Sequence, residues 1–360
     1  MRFLISTRKG LFRLERRRDG WHLGEPRFLG VPVLNAKRDA RDGSIWACAG
    51  HGHWGAKLYV SHDDGENFEE RPCPAFPEGT QIDEITEWGQ RKEAAVVKHL
   101  YTIEPVGDAG RYLIGCDPGG LFESRDGGET WAINEPLWTL RNDHNWFEGG
   151  GGVMLHTVCV DPRDADRMHV AVSCAGVYET RDGGRSWTPR NQGVRADFLP
   201  DPHPEYGQDT HMLRRGTQDP DVLWQQNHCG NFRSSDAGAH WVDVSDAMPH
   251  SIGFCLALDE ADDRVAWTVP MLSDEVRVAP DGALAVARSE DGGASWQEMR
   301  NGLPQAHCYD IVFRHAMDAR EGTVAFGTNS GSLFVSENRG SDWSALQRDL
   351  PTIYAVSCES

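Results

Sequence analysis

The stretch Ser124-Arg-Asp-Gly-Gly-Glu-Thr-Trp131 decides the fold, because five further copies of it occur along the 360 residues. They end at Phe68, Trp187, Trp241, Trp296 and Trp343. All share the pattern Ser/Thr-x-Asp-x-Gly-x-x-aromatic, with Asn338 replacing the aspartate in the last. The hydroxyl and the carboxylate accept N–H groups of a tight turn, glycine supplies a positive φ, and the aromatic ring packs beneath. We call each copy a box turn; the pattern predicts a hairpin repeated at a near-constant period.

Two apolar segments precede most box turns, as in LIGCDPGGLFES (113–124), and a third apolar run such as HLYTIEP (99–105) lies ahead of them. Four strands per repeat are typical of a propeller blade. The chain begins at a second strand, without an innermost one, and the run 352–358 at its end supplies the missing strand. We therefore predict one all-β domain, residues 1–360, folded as a seven-bladed β-propeller that the C-terminal strand closes by joining the N-terminal blade. The outer strands are expected to open at Trp21, Phe68, Trp131, Trp187, Trp241, Trp296 and Trp343.

The six box turns resemble the Asp-box, or BNR, repeat of sialidases, sortilin-type receptors, xyloglucan-cleaving hydrolases and photosystem-assembly propellers. The resemblance covers nearly the whole chain. It implies a β-propeller but no single function, because enzymes, receptors and scaffolds share the repeat. Catalytic sialidases also carry an Arg-Ile/Leu-Pro segment near the N-terminus, an arginine triad and a Tyr/Glu nucleophile pair on six blades. No Arg-Ile-Pro or Arg-Leu-Pro occurs here, so sialidase activity is not expected.

The composition excludes several classes of partner. A formal charge of −19 argues against nucleic acid and anionic membranes, which need clustered Lys and Arg. The N-terminus enters a strand at once and lacks a small-residue cleavage site, so we expect neither a signal peptide nor a membrane span. Nine cysteines without paired spacing indicate free thiols in the cytoplasm.

Four insertions are predicted on one face of the propeller, around the mouth of the central channel: 77–97, 137–154, 193–210 and 270–284. Long loops on a rigid scaffold commonly carry the binding site. The second insertion sets Trp138, Trp146 and Phe147 beside four glycines. Either a mobile lid with an aromatic tip or a packed covering loop fits this composition.

Three histidines are candidate metal ligands: His99, His156 and His211. The first two lie six residues before Pro105 and Pro162, and the third aligns with them through the segments that follow. If all three open innermost strands of adjacent blades, they converge on one mouth. Neutral imidazoles from separate strands suit a divalent Zn, Fe, Cu or Mn ion. Imidazoles that line a wet channel, or that act as acid or base without a metal, are the alternatives.

The neighbouring loops supply further candidates. His228, Asp117 and Tyr309 are predicted to be catalytic. A substrate is predicted to contact Trp146, Arg8, Lys9, His53, Asn329 and His307. Cys174 and Cys229 lie in matching loops, where a thiol beside His228 is either a nucleophile or a small packing residue.

A carboxylate mechanism is also open, because five acids are predicted on the same face: Glu87, Asp117, Asp143, Glu148 and Asp274. Solvated loop acids are the plainer interpretation of most of them. We expect an enzyme that acts on a small molecule or glycan at the histidine-lined mouth, with or without a metal. The alternatives are a scaffold that binds a protein or peptide partner, and a glycoside hydrolase that uses two carboxylates.

Overall fold

The structure is a computed structural model that describes residues 1–86, 89–144, 146 and 152–359, without the side chains of residues 84–91. The chain is nearly all β, with seven four-stranded blades arranged as a β-propeller. This confirms the predicted fold class. No helix among the described residues has the length and apolar character needed to cross a bilayer.

Each blade except the first takes four consecutive strands. Blade one contains β1 (Arg2–Thr7), β2 (Gly10–Arg17) and β3 (Gly20–Leu23), and blade two contains β4 (Val33–Arg38), β5 (Ile45–His51), β6 (Gly55–Ser61) and β7 (Glu69–Arg71). A separate hairpin of β8 (Gln81–Thr86) and β9 (Gly89–Ala94) comes next, and then blade three with β10 (His99–Pro105), β11 (Tyr112–Asp117), β12 (Leu121–Ser124) and β13 (Ala132–Ile133), followed by helix α1 (Glu135–Asp143). Blade four contains β14 (Leu155–Asp161), β15 (Asp164–Val172), β16 (Gly176–Thr180) and β17 (Thr188–Pro189).

The remaining blades follow the same order. Blade five contains β18 (Thr210–Arg215), β19 (Leu223–Asn227), β20 (Gly230–Ser234) and β21 (Val242–Asp243); blade six β22 (Ala257–Leu258), β23 (Ala266–Thr268), a 3₁₀ turn (Pro280–Gly282), β24 (Val286–Ser289) and β25 (Gln297–Met299); blade seven β26 (Met317–Arg320), β27 (Thr323–Gly327), β28 (Leu333–Ser336) and β29 (Ser344–Gln347); and β30 (Ile353–Cys358) completes blade one.

Blade one is closed by the two ends of the described chain. Strand β30 pairs antiparallel with β1, from Phe3 opposite Cys358 to Thr7 opposite Ile353. The predicted closure is therefore confirmed. The pairing occupies the hydrogen-bonding edge of β1 that would otherwise be exposed.

The blades fall into two compact units. One contains blades one, five, six and seven; the other contains blades two, three and four with helix α1 and the β8–β9 hairpin. The core of the first unit is built around Trp267, Phe326 and Phe334, all fully buried. Among the described residues of the second unit, hydrophobic clusters form around Tyr178 and around Phe122. Strands such as β27 and β28 are buried at every residue because both faces of the sheet are covered.

All six box turns form one hydrogen-bonded structure. The Ser/Thr hydroxyl donates to the Oδ1 atom two residues on, at 2.8–3.0 Å. The same hydroxyl accepts the N–H of the glycine four residues on, at 2.8–2.9 Å. Oδ1 then accepts a second backbone N–H at 2.8–2.9 Å. The turn thus satisfies the backbone donors that a sharp reversal would leave without partners.

The last box turn keeps this structure, but the donor and the acceptor of one side-chain hydrogen bond are reversed. In the third blade the Thr130 hydroxyl donates to Oδ2 of Asp126 at 2.5 Å. In the seventh blade Asn338 Nδ2 donates instead to Oδ2 of Asp342 at 2.7 Å. The substitution of Asn338 for aspartate is therefore matched by an acid four residues later.

Box tryptophans also connect neighbouring blades within a unit. Trp187 Nε1 donates to Asn134 Oδ1 at 2.9 Å, and Trp296 Nε1 donates to the Val244 carbonyl at 2.8 Å. Gly128 has φ of 84°, and a Cβ there would lie 2.6 Å from the Trp46 ring. This position therefore requires glycine for both its backbone angle and its contact with the neighbouring blade.

The box turns make the stability of the protein sensitive to acid. Hydrogen bonds from the residue four positions on and from the Ser/Thr hydroxyl lower the pKa of Asp63, Asp126 and Asp182 to about 2, against an ordinary 3.8. Because the folded-state pKa is depressed, the stabilisation is complete above the ordinary pKa and is lost as pH falls towards 2. We expect the melting temperature, followed by circular dichroism, to fall between pH 4 and pH 2. The melting temperature of the double variant Asp126→Asn/Asp182→Asn should fall less steeply with pH than that of the wild type. Equal slopes for the two proteins would contradict this assignment.

The exchanged pair in the last box turn gives a second prediction. Asn338→Asp should lower the melting temperature at pH 7, because it opposes two carboxylates where Asn338 now donates to Asp342. Adding Asp342→Thr should restore it, since the pair then reproduces Asp126 and Thr130. The measurement is thermal unfolding of both variants, and a double variant no more stable than the single one would refute the exchange.

Candidate functional site

Three adjacent blades carry the same irregularity in their first strand. In β10 the pairing steps from Leu100 opposite Cys116 to Thr102 opposite Gly115, so Tyr101 is an extra residue. The same step makes His156 the extra residue of β14 and His211 that of β18. Such bulges bend a strand and redirect a side chain, and they are frequent next to active sites.

The bulges align Tyr101, rather than His99, with His156 and His211. Counting residues back from the prolines misplaced His99 because Pro105 lies within its strand, whereas Pro162 follows the end of β14. His99 instead starts β10, opposite Asp117, with its Nδ1 atom 3.6 Å from Asp117 Oδ2. Its side chain is 48% exposed, whereas His156 is fully buried and its Nδ1 lies 2.9 Å from Thr157 Oγ1.

His211 is buried and held in a defined orientation. Its Nδ1 atom lies 2.6 Å from the Gly253 carbonyl, to which only a protonated nitrogen can donate. In the neutral ring this leaves the lone pair on Nε2, the nitrogen that can bind a metal or accept a proton. The Phe254 ring packs 4.7 Å from the imidazole, measured between centroids.

His228 lies beside His211 in the loop between β19 and β20. The two ring centroids are 5.7 Å apart, and Phe198 makes an edge contact with His228 at 4.9 Å. His228 Nε2 is 3.9 Å from Oδ2 of Asp274, whose Oδ1 binds the Arg277 guanidinium at 2.7 Å. An imidazole, a carboxylate and an aromatic ring are thus in contact at one site.

Asp209 is held within its own unit, where its Oδ1 atom accepts the backbone N–H of Cys174 at 3.2 Å. It immediately precedes β18, so only Thr210 separates it from His211.

The other predicted site residues lie on connecting loops. Arg8 and Lys9 are exposed on the β1–β2 turn, where Arg8 N–H donates to the Thr352 carbonyl. His53 is exposed and stacks on His51 at 5.3 Å. Asn329 accepts the Ile311 N–H through its side chain. His307 and Tyr309 are both exposed, Tyr309 by 60%.

Trp146 has the position of a packing residue rather than of an exposed aromatic tip. It is 6% exposed, and its Nε1 donates to the Tyr178 hydroxyl at 2.8 Å. Burial raises the pKa of Tyr178, so its hydroxyl stays neutral. Trp138, on helix α1, packs against Phe76 at 4.8 Å. These contacts fit a packed covering segment, while Phe147 lies outside the described residues.

The location of Trp146 predicts the effect of removing it. Trp146→Ala should lower the free energy of unfolding by about 3–5 kcal/mol, as other large core deletions do. Tyr178→Phe should cost less, because it keeps the packed ring and removes only the hydroxyl that the indole N–H and His144 Nδ1 contact. Chemical denaturation checks both values, and a fully stable Trp146→Ala protein would contradict the packing role.

The predicted acids and thiols lie in different surroundings. Asp143 ends helix α1 and is exposed, Asp117 is largely buried beside His99, and Asp274 lies beside His228. Glu87 and Glu148 lie outside the described residues. All nine cysteines are free thiols, as expected. Cys174 is buried, whereas the Cys229 sulfur accepts the Asp197 N–H at 3.4 Å.

Two aromatic residues beside His211 and His228 were not expected from the sequence: Phe198 and Phe254. Neither carries a periodic signal. They belong to irregular segments that only the folded chain brings to the histidines.

Comparison with known proteins finds two curated proteins similar in sequence, both of them xyloglucanases. No family profile matches the chain. It is 25% identical over 267 residues to an oligoxyloglucan-reducing end-specific xyloglucanase of Emericella nidulans, covering 70% of this chain and 26% of that protein. A xyloglucanase of a Paenibacillus species is 26% identical over 258 residues, covering 60% and 23%. The chain thus spans about a quarter of the length of the curated relatives it matches.

Solved structures are similar to it over most of its length. The GH74 enzyme of Niastella koreensis superposes with a TM-score of 0.65 at 14% identity, covering 97% of this chain and 52% of that one. YCF48 bound to a D1 peptide superposes with a TM-score of 0.53 at 12% identity, covering 87% and 80%. At these identities the similarity supports the propeller fold alone.

Proposed function

We propose that the protein is a hydrolase that acts on a glycan at the His211–His228–Asp274 site. The observation that carries the proposal is the contact of the His228 imidazole with both the Asp274 carboxylate and the Phe198 ring. The two xyloglucanases, which match 60–70% of the chain, support the choice of substrate class.

The three side chains suit a sugar in complementary ways. Phe198 is 41% exposed and presents an apolar face against which the C–H face of a sugar ring can pack. Asp274 and His228 are partly exposed, with side-chain exposures of 37% and 24%, so both can reach a ligand. Binding sites generally combine an apolar surface with a few polar groups in this way.

His228 and Asp274 form an acid–base pair. Their 3.9 Å separation allows the carboxylate to orient the imidazole and to stabilise its protonated form. In glycosidic hydrolysis the His228 imidazolium would protonate the leaving oxygen, and the Asp274 carboxylate would assist the incoming water. Arg277 binds Asp274 Oδ1 at 2.7 Å, while Asp274 Oδ2 is the atom near the His228 imidazole.

The proposal is tested by release of reducing ends from a panel of glycans that includes xyloglucan and its oligosaccharides. Asp274→Asn and His228→Gln should each lower kcat by about 100-fold or more, the scale of general acid–base catalysis. The set of variants also includes Asp117→Asn and Tyr309→Phe, at the other two predicted catalytic residues. Asp291→Asn, in a box turn, is the matched control and should keep turnover.

Unchanged turnover in both Asp274→Asn and His228→Gln would move the active site elsewhere. Absence of turnover and of binding with every glycan would overturn the proposal. It would favour the second candidate, a scaffold for a protein or peptide. The exposed Leu272, Val276 and Tyr309 side chains favour that candidate, since they offer apolar contacts on loops of the same unit. Pull-down with the Asp274→Asn protein would not depend on turnover and would separate the two.

A further inference from the structure

We infer that the glycan bound at this site carries a carboxylate, as uronic acids do, and that Arg277 and Arg314 bind it. The inference rests on the proposed function, because it names the class of glycan that the same site would accept. The observation that carries it is the contact of two guanidinium groups with one buried ring, that of Phe254, which also packs against His211.

Phe254 is a fixed point on which both arginines are positioned. Its side chain is 6% exposed and belongs to an apolar cluster with Met271 and Ile311. The side chains of Ile252 and Phe313 pack against the same cluster. Because close packing from several segments restricts a side chain to one rotamer, groups that lie on this ring have a defined position.

The two guanidinium groups lie at similar distances from this ring. The Cζ atoms of Arg314 and Arg277 are 5.2 Å and 5.5 Å from the Phe254 centroid. A cation within about 6 Å of an aromatic centroid is attracted to the ring face. A guanidinium also presents its N–H donors in a planar fork that matches the two oxygens of a carboxylate. The contact with Phe254 therefore orients two groups suited to that ligand.

Arg277 has donors available for a ligand. Its Nε and Nη2 atoms donate to the carbonyl and to Oδ1 of Asp274, at 2.9 Å and 2.7 Å. Within the part of the chain that the structure describes, its Nη1 atom makes no hydrogen bond. The side chain is 46% exposed, so Nη1 can reach a carboxylate brought by a substrate.

The local charge also favours an anionic ligand. The chain carries a formal charge of −19, so a carboxylate is repelled by most of its surface and needs a local group of cations to bind. Asp274 offsets the charge of Arg277, and Arg314 brings a second positive charge to the same ring.

Positive charge continues from blade seven to blade one. Phe313, next to Arg314, has its ring 6.1 Å from that of Tyr354 in β30. Burial raises the pKa of Tyr354, and the positive charge of Arg8 opposes that rise, so Arg8 is close to this tyrosine. Arg8 is exposed, and the sequence predicted that it contacts a substrate.

Arg277 connects the carboxylate site to the proposed acid–base pair. It binds Asp274 through Oδ1, while Oδ2 of the same carboxylate lies 3.9 Å from His228 Nε2. A substrate carboxylate on the free side of Arg277 would therefore hold its sugar ring next to these two groups. Positioning of this kind lowers the entropy that the reaction must overcome.

The test is binding of matched oligosaccharides to the full chain, measured by calorimetry. Oligosaccharides of galacturonic acid and of glucuronic acid are each compared with the same compound after reduction of its carboxyl groups to alcohols. The His228→Gln protein is used, so that no substrate is consumed. We expect the acidic member of at least one pair to bind about tenfold or more tightly than its reduced counterpart, the scale of a hydrogen bond between charged groups.

Arg314→Gln should remove this preference and leave binding of the reduced compound unchanged, since the Arg277–Asp274 pair remains. Arg314→Lys keeps the charge but loses the planar fork, and should retain part of the preference. The matched control is Arg264→Gln, which makes the same charge change in the same blade as Arg277. Arg264 is 64% exposed and bonded to Asp262 at 2.8 Å, and it precedes β23, whereas Arg277 follows that strand. The control should keep the preference, and thermal unfolding confirms that each variant is folded.

Equal binding of the acidic and reduced compounds would overturn the inference. So would a preference that Arg314→Gln leaves intact or that Arg264→Gln abolishes. A sulfated neutral oligosaccharide is tested as well, and binding of that compound alone would also contradict a carboxylate site.

Turnover by the wild-type chain is assayed separately on the same compounds and on neutral glycans. Acidic oligosaccharides that bind with the expected preference but are not cleaved would refute only the proposed function. Cleavage of neutral glycans without any preference for a carboxylate would refute only the inference about Arg277 and Arg314.

Discussion

The hydrogen bond from a glycine N–H to a Ser or Thr hydroxyl, at 2.8–2.9 Å in all six box turns, is the interaction on which the blades depend. It lets the third strand reverse sharply into a short outer strand, which in blades three, four and five is only two residues long. So short a strand has little pairing energy of its own. The turn and the aromatic residue after it therefore supply much of what holds the outer edge.

Rigid blades allow the opposite ends of the strands to vary. The first strands of blades three, four and five each contain a bulge, and the residue it displaces is Tyr101, His156 or His211. The surroundings of these residues differ: His156 is enclosed, whereas His211 lies beside His228 and Phe254. One backbone irregularity thus serves packing in one blade and a cluster of polar groups in the next.

The glycan proposal depends on His228, Asp274 and the Phe198 ring as groups that contact a ligand. The Gly253 carbonyl orients the neighbouring His211 through its Nδ1 atom. A charged, oriented cluster on a stable scaffold is the usual arrangement of a functional site.

The sequence by itself determined the seven blades, the six box turns and the closure by β30, because repeats and turn residues act over a few neighbouring positions. It also marked His211, His228 and Asp274 as candidates. It could not align His99 correctly, since a bulge changes the register without changing residue spacing. Nor could it place Trp146 in the core, or Phe198 and Phe254 beside the histidines. Only the tertiary structure decided those contacts, because they join irregular segments whose positions depend on the packed blades beneath them.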